Sequence, residues 1–165
     1  ADIDDILVIQ GDLVPDDLLF ASAGERFLVQ IRGTEDKIEI YDWFIEADSR
    51  LSGIEFANGL VLDTDAMEAR MEVLPATTGD DIIGGTNGDD VISGLSGYDE
   101  LYGNGGIDLV YGGEDDDWLN EHSGSGLLDG GAGDDGIHDE AGAQFIIGGA
   151  GNDFINAYGS ASPSI

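Results

Sequence analysis

From Ala76 to Asn156 a polar, glycine-rich stretch followed by a short apolar one recurs every nine residues, nine times in succession, without insertion or deletion. The units are ATTGDDIIG, GTNGDDVIS, GLSGYDELY, GNGGIDLVY, GGEDDDWLN, EHSGSGLLD, GGAGDDGIH, DEAGAQFII and GGAGNDFIN. Position 8 is aliphatic in all nine: Ile83, Ile92, Leu101, Val110, Leu119, Leu128, Ile137, Ile146 and Ile155. Position 4 is glycine in eight, with Asp115 the exception, and position 6 is aspartate in seven, with Gly126 and Gln144 in repeats six and eight. A flexible Gly/Asp linker would not hold an aliphatic residue in phase over that length, so the period is structural. Each unit reads as a tight loop, whose glycines supply positive φ, and then a three-residue strand that points position 8 to one face and positions 7 and 9 to the other. One unit cannot bury its aliphatic side chain alone. Two units make a turn with two short parallel strands facing each other, and stacked turns bury a continuous column of position-8 side chains between two sheets. The predicted fold is all-β, a parallel β-roll over residues 76–156, followed by a tail over 157–165.

Residues 1–75 are patterned differently. Phe27, Val29 and Ile31 alternate, as do Ile38 and Ile40, with Gly33-Thr34-Glu35-Asp36 between them, which predicts a β-hairpin over Arg26–Asp42. Asp63–Val73 predicts a short helix, with Asp65 and Glu68 spaced as a capping box and Pro75 as its stop. The segment reads as a small α+β cap ahead of the roll.

Charge changes the picture. The chain carries 36 acidic residues against five basic ones, for a formal net charge of −31. All five cations, Arg26, Arg32, Lys37, Arg50 and Arg70, precede the repeats. Like charge argues against nucleic acid or an anionic membrane as partner and for cations. Self-repulsion alone would favour disorder, yet 41% of residues are hydrophobic, enough for a core once the charge is neutralised. There are no cysteines, so neither disulfides nor thiolate metal sites hold the fold. No apolar run is long enough to span a membrane, and the N-terminus lacks the basic and apolar regions of a cleavable export signal. The abrupt start and finish lead us to expect a segment of a longer protein.

Stacking puts the loop of each repeat over that of the repeat two further on, so position-6 aspartates stand about 4.8 Å apart. Uncompensated carboxylates that close would repel. A hard divalent cation removes the conflict. Ca²⁺ takes six to eight oxygens from carboxylates and carbonyls, whereas Mg²⁺ demands strict octahedral geometry. The expected side-chain ligands are Asp81, Asp90, Asp99, Asp108, Asp117, Asp135 and Asp153, supported by the loop backbone of Gly79, Gly88, Gly97, Gly106, Gly133 and Gly151. Odd repeats keep the aspartate throughout, which predicts sites at 81/99, 99/117, 117/135 and 135/153. Even repeats predict one site at 90/108 and a weaker one beyond it at Asp108, for about five calcium sites in all. The acids at position 5, Asp80, Asp89, Asp116 and Asp134, read as solvated groups or as groups that support the ligands from behind, rather than as ligands themselves. Asp115-Asp116-Asp117 is not an EF-hand, since it lacks that loop's glycine and bidentate glutamate.

The pattern GGxGxDxUx is that of the RTX nonapeptide, and GGAGDDGIH and GGAGNDFIN match it in full. The repeats therefore resemble an RTX calcium-binding domain. The resemblance implies a right-handed parallel β-roll, folding on calcium, and type I secretion to the outside of a bacterial cell. DDLLFASAGERFLVQIRGTEDKIEIYDWF and SRLSGIEFANGLVLDTDAMEARM are similar to the non-repeat segments between RTX blocks of large secreted toxins and adhesins, such as the adenylate cyclase toxin. On that resemblance Asp2–Val8 would be the last strand of a preceding block, and neighbouring RTX blocks are expected partners.

Position 7 of the even repeats, Val91, Leu109, Leu127 and Phe145, forms an apolar row where a solvated face should be polar, so a cover is expected from residues 1–75, the tail or another chain. No HExxH zinc motif, GxSxG elbow, P-loop or Rossmann fingerprint is present, and no enzymatic activity is expected. His122 and His138 read as surface substitutions. Position 3 carries no regular Thr or Asn array, which argues against ice binding. Tyr98, Tyr102, Tyr111 and Trp118 leave a host receptor or glycan as a further partner class.

Overall fold

A computed structural model describes residues 5–24, 26–41, 43, 50–140 and 144–158. The chain forms two compact units, Ala1–Glu72 and Val73–Ile165.

The first unit holds six strands among its described residues: β1 (Ile6–Ile9), β2 (Leu18–Ala23), β3 (Arg26–Ile31), β4 (Lys37–Ile40), β5 (Gly53–Phe56) and β6 (Val61–Asp63). The predicted hairpin is present as β3 and β4, with Phe27 opposite Ile40 and Val29 opposite Ile38, and β2 adds a third antiparallel strand. Asp42, at the hairpin's predicted end, lies outside the described residues, as do residues 2–4 of the N-terminal stretch read as a strand. The rest of that stretch enters β1, which runs parallel to β5, and β6 pairs antiparallel with β5. Phe20, Phe27, Trp43, Ile54, Phe56 and Met67 are buried together, and Trp43 stacks on Phe27 with ring centroids 4.1 Å apart.

The helix is shorter than its sequence predicts. It covers only Thr64–Glu68 (α1), and its cap is Asp63, which accepts from the Ala66 N–H at 2.9 Å, rather than the Asp65–Glu68 box. Past Glu68 the backbone turns to satisfy a different partner. Met71 bridges to Phe20, and the Glu72 N–H donates to the Phe20 carbonyl at 2.8 Å. Pairing with β2 outweighs the helical propensity of residues 69–72.

In the second unit each repeat supplies one strand: β7 (Ile82–Gly84), β8 (Val91–Ser96), β9 (Glu100–Tyr102), β10 (Ile107–Glu114), β11 (Trp118–Glu121), β12 (Ser125–Ala132), β13 (Gly136–Asp139), β14 (Gln144–Ala150) and β15 (Phe154–Ala157). Even repeats make one parallel sheet, β8-β10-β12-β14. Odd repeats pair in parallel as β7-β9-β11-β13-β15. Partners are 18 residues apart, as Val110 and Leu128 are, so one turn is two repeats. The result is a parallel β-roll. Ile83, Ile92, Leu101, Val110, Leu119, Leu128 and Ile137 are at most 2% exposed and fill the space between the sheets. The column thins at the last turn, where Ile146 is half-buried and Ile155 is 47% exposed.

Odd strands are three or four residues long, as predicted, but even strands reach six to eight. Pairing there continues into the next loop, for example Gly113 with Gly131 and Glu114 with Ala132. Asp115 occupies the glycine position of its loop at φ 77, in the left-handed region that Asp enters more readily than most residues. The predicted apolar row exists: Val91, Leu109, Leu127 and Phe145 are neighbours in register. Val91 and Phe145 in it are exposed.

Candidate metal centre

The loops join the two sheets along two edges, and position 6 lies on them. On the odd edge Asp99, Asp117 and Asp135 are buried, while Asp81 and Asp153, in the outer turns, are half-buried. On the even edge Asp108 is buried and Asp90 half-buried. Beyond the first turn, each position-6 carboxylate is tied to the preceding turn through one oxygen. The Asp81 N–H donates to Asp99 Oδ1 at 2.9 Å, Asp90 to Asp108 at 2.9 Å, Asp99 to Asp117 at 3.0 Å, Asp117 to Asp135 at 2.9 Å and Asp135 to Asp153 at 3.1 Å.

The second oxygen carries the chemistry. Oδ2 of Asp99, Asp108, Asp117 and Asp135 is buried and has no hydrogen-bond partner. A buried anionic oxygen without a partner is costly. Each is aimed at the α-carbon of position 1 of its own repeat: a β-carbon on Gly112 would lie 2.5 Å from Asp117 Oδ2, and one on Gly94 would collide with Asp99 Oδ2. Main-chain carbonyls converge on the same places, with the Gly112 carbonyl 2.7 Å from that point at Gly94 and the Gly103 carbonyl 2.5 Å from the one at Gly85. Paired carboxylate and carbonyl oxygens facing a spot that only glycine leaves open are a donor set for a hard cation. Among the described residues no three Asp, Glu, His or Cys side chains converge on one point, so the backbone must supply much of any such coordination.

Electrostatics agree. Burial pushes the Asp117 carboxyl up to about 7, reinforced by the charges of Asp99, Asp135 and Asp115 and partly offset by the Asp99 N–H. Burial likewise raises Asp108 to about 6, and raises Asp99 and Asp135 above the ordinary carboxylate range. The fold holds these groups where the charged form is disfavoured unless a proton or a cation compensates it.

In the first turn the second oxygen is satisfied differently. Asp81 Oδ2 accepts from the Thr77 N–H at 2.7 Å and its hydroxyl at 3.0 Å, and Asp90 Oδ2 from the same groups of Thr86 at 2.6 and 2.9 Å. The position-4 glycines adjoin these sites as stacked loop backbone: Gly97, Gly106, Gly133 and Gly151 adopt positive φ, and β-carbons there would meet the loop of the preceding turn. Carbonyls of position 1 also lie close to the same points as the partnerless oxygens, and the repeat pattern alone did not single them out. The exposed acids of position 5 have a role beyond solvation. Asp80 accepts from the Tyr98 N–H, Asp89 from Ile107, Asp116 from Asp134 and Asp134 from Asn152, at 2.8–3.0 Å.

A parallel β-roll with stacked carboxylates at its edges defines a class of calcium-binding repeat protein. The profile of the RTX calcium-binding nonapeptide repeat matches in four copies, at residues 73–101, 84–119, 123–155 and 138–161, together more than half of the chain. The chain belongs to this family. Residues 27–66 match the haemolysin-type calcium binding protein related domain. No curated protein gives a match to the chain.

Proposed function

We propose that this chain is a calcium-operated folding module of a larger bacterial toxin or adhesin, exported by type I secretion and folded outside the cell. One observation carries the reading: the partnerless buried Oδ2 atoms of Asp99, Asp108, Asp117 and Asp135. Without a cation these oxygens, within a chain of net charge −31, oppose the compact state. The glycine-rich repeats also lose much conformational entropy on ordering. An unfolded chain is suited to a narrow export channel. A cation that binds only the native state stabilises it by mass action. Extracellular calcium modules have dissociation constants of about 10⁻⁴–10⁻³ M, so compartment decides the state. Position-6 carboxylates and position-1 carbonyls would hold the ions, and calcium would supply charge neutralisation between turns. The module acts by binding and folding rather than by catalysis, and neighbouring RTX blocks are its natural partners. The test is far-UV circular dichroism during a calcium titration, with magnesium as control. A cooperative gain of β-signal with calcium alone is expected. The same spectrum in chelator as in calcium would overturn the switch.

A further inference from the structure

The even edge loses its position-6 aspartate twice, at Gly126 and Gln144. Position 1 is glycine or alanine in seven repeats and acidic in only two, Glu121 and Asp139, and these are the same two repeats. The structure gives this coincidence a geometric meaning. In the six repeats that pair a position-1 glycine with a position-6 aspartate, the β-carbon direction at position 1 points towards Oδ2 of position 6. A carboxylate grown from position 1 therefore enters the space that the position-6 carboxylate would fill. Position 6 of repeat six has meanwhile given up that role, because Gly126 has φ 135 and a β-carbon there would collide with the Asp108 carbonyl.

Glu121 is fully buried, its carboxylate oxygens make no hydrogen bond of good geometry, and the groups that act on it include the Asp108 carboxyl and the Ser123 N–H. Its direction is fixed. A β-carbon on Gly103 would collide with Glu121 Oε2 and lie 3.1 Å from Asp108 Oδ2, so the two carboxylates converge on one spot beside the Gly103 backbone. We propose that Asp108 and Glu121 form a calcium site of a second kind on the even edge, in which a position-1 glutamate replaces the missing position-6 ligand. Asp139 stands next to Glu121 in register and adds negative charge to the same edge. The β-roll thereby keeps its even edge ligated beyond Asp108, where a count of position-6 aspartates would end it.

Desolvation, then the charge and hydrogen bonding of the Asp108 carboxyl, push the Glu121 carboxyl up to about 9, with a smaller push from Asp139 and a partial offset by the Ser123 N–H. A cation would relieve that cost. Its rival is a proton shared between the two carboxyls, and the test separates them.

The inference rests on the calcium reading above. The measurement is calcium bound per folded chain at neutral pH, by equilibrium dialysis and metal analysis, for the unaltered chain, Glu121→Gln and the exposed control Glu114→Gln. Glu121→Gln is expected to hold one ion fewer, and Glu114→Gln the full number. An unchanged count in Glu121→Gln means a shared proton and overturns the proposal, while leaving the switch intact. If the unaltered chain binds no calcium, the broader reading fails first. Should Glu121→Gln not fold, a crystal of the unaltered chain grown in calcium decides. Anomalous density between Asp108 and Glu121 supports the site, and none there overturns it.

Discussion

Replacing Asp117 by asparagine should change stability with opposite sign in the two states of the roll. The side chain is buried, Oδ1 accepts from the Asp99 N–H at 3.0 Å, and Oδ2 has no partner. Asparagine keeps the first bond and removes the charge. With calcium chelated, the carboxyl titrates at about 7 in the fold against 3.8 normally. At about 1.4 kcal/mol per pH unit, its charged form costs the calcium-free fold up to about 4 kcal/mol above pH 7. A new buried amide N–H without an acceptor costs about 1–3 kcal/mol. The variant should therefore stabilise the calcium-free roll by about 1–3 kcal/mol. With calcium, Asp117 would serve two ions, at 99/117 and 117/135. Each ion at a hundred times its dissociation constant contributes about 2.7 kcal/mol. Losing both costs about 5 kcal/mol, more than the gain on removing the charge. The assay is urea unfolding followed by circular dichroism at pH 8, in excess calcium and in chelator. In chelator a gain reads as more β-signal or a higher midpoint, and in calcium as a lower midpoint. A shift of the same sign in both, or none in calcium, would refute the assignment of Asp117 as a buried ligand.

Acid should partly replace calcium. Asp108, Asp117 and Glu121 have folded values of about 6, 7 and 9, all above their unfolded values, so the calcium-free fold is most stable where both states are protonated and weakens as pH rises through the folded values. In chelator, β-signal should therefore rise on acidification from pH 8 to pH 5, and a fall would contradict the burial of these groups. Asp134→Ala removes the acceptor of the Asn152 N–H and should cost about 1 kcal/mol without changing the number of calcium ions bound, whereas Asp135→Asn should reduce that number; metal analysis separates them. Trp43→Ala empties the space against Phe27 and should destabilise the Ala1–Glu72 unit by about 3–5 kcal/mol, read from urea unfolding.

The roll was legible because one period encodes both its halves. Position 8 fixes the core column, and position 6 places the carboxylates at the edges. The first unit was legible only where a period of two survives. Phe27, Val29, Ile31, Ile38 and Ile40 announce β3 and β4, but β2 buries Leu18, Phe20, Ala21 and Ser22 on both faces and so shows no alternation. The helix was overextended because residues 69–72 suit a helix locally, and only the distant Phe20 claims their backbone. Glu121 was passed over because its direction depends on the backbone of position 1, which the glycines there conceal. The available signal was the pairing of an acid at position 1 with a missing acid at position 6 in the same repeat.

The two acids of each loop tie the turns together in opposite senses. Position 5 accepts an N–H from the turn after it, as Asp134 does from Asn152, and position 6 accepts from the turn before it, as Asp117 does from Asp99. A loop therefore completes its hydrogen bonds only when both neighbouring turns are in place, which makes folding propagate along the roll as it does in other repeat proteins. The same Asp117 carboxylate that bonds the preceding turn carries a buried oxygen without a partner, so under the proposed function ion binding would be coupled to turn stacking. The first turn is the exception, because Thr77 and Thr86 already satisfy the second oxygens of Asp81 and Asp90. Under the proposed function, ordering there would demand no ion for those oxygens, and every later turn that adds a partnerless carboxylate would. Calcium-driven folding should accordingly start at the threonine-capped turn and proceed towards the C-terminal end of the roll, each bound ion completing the surface on which the next turn stacks.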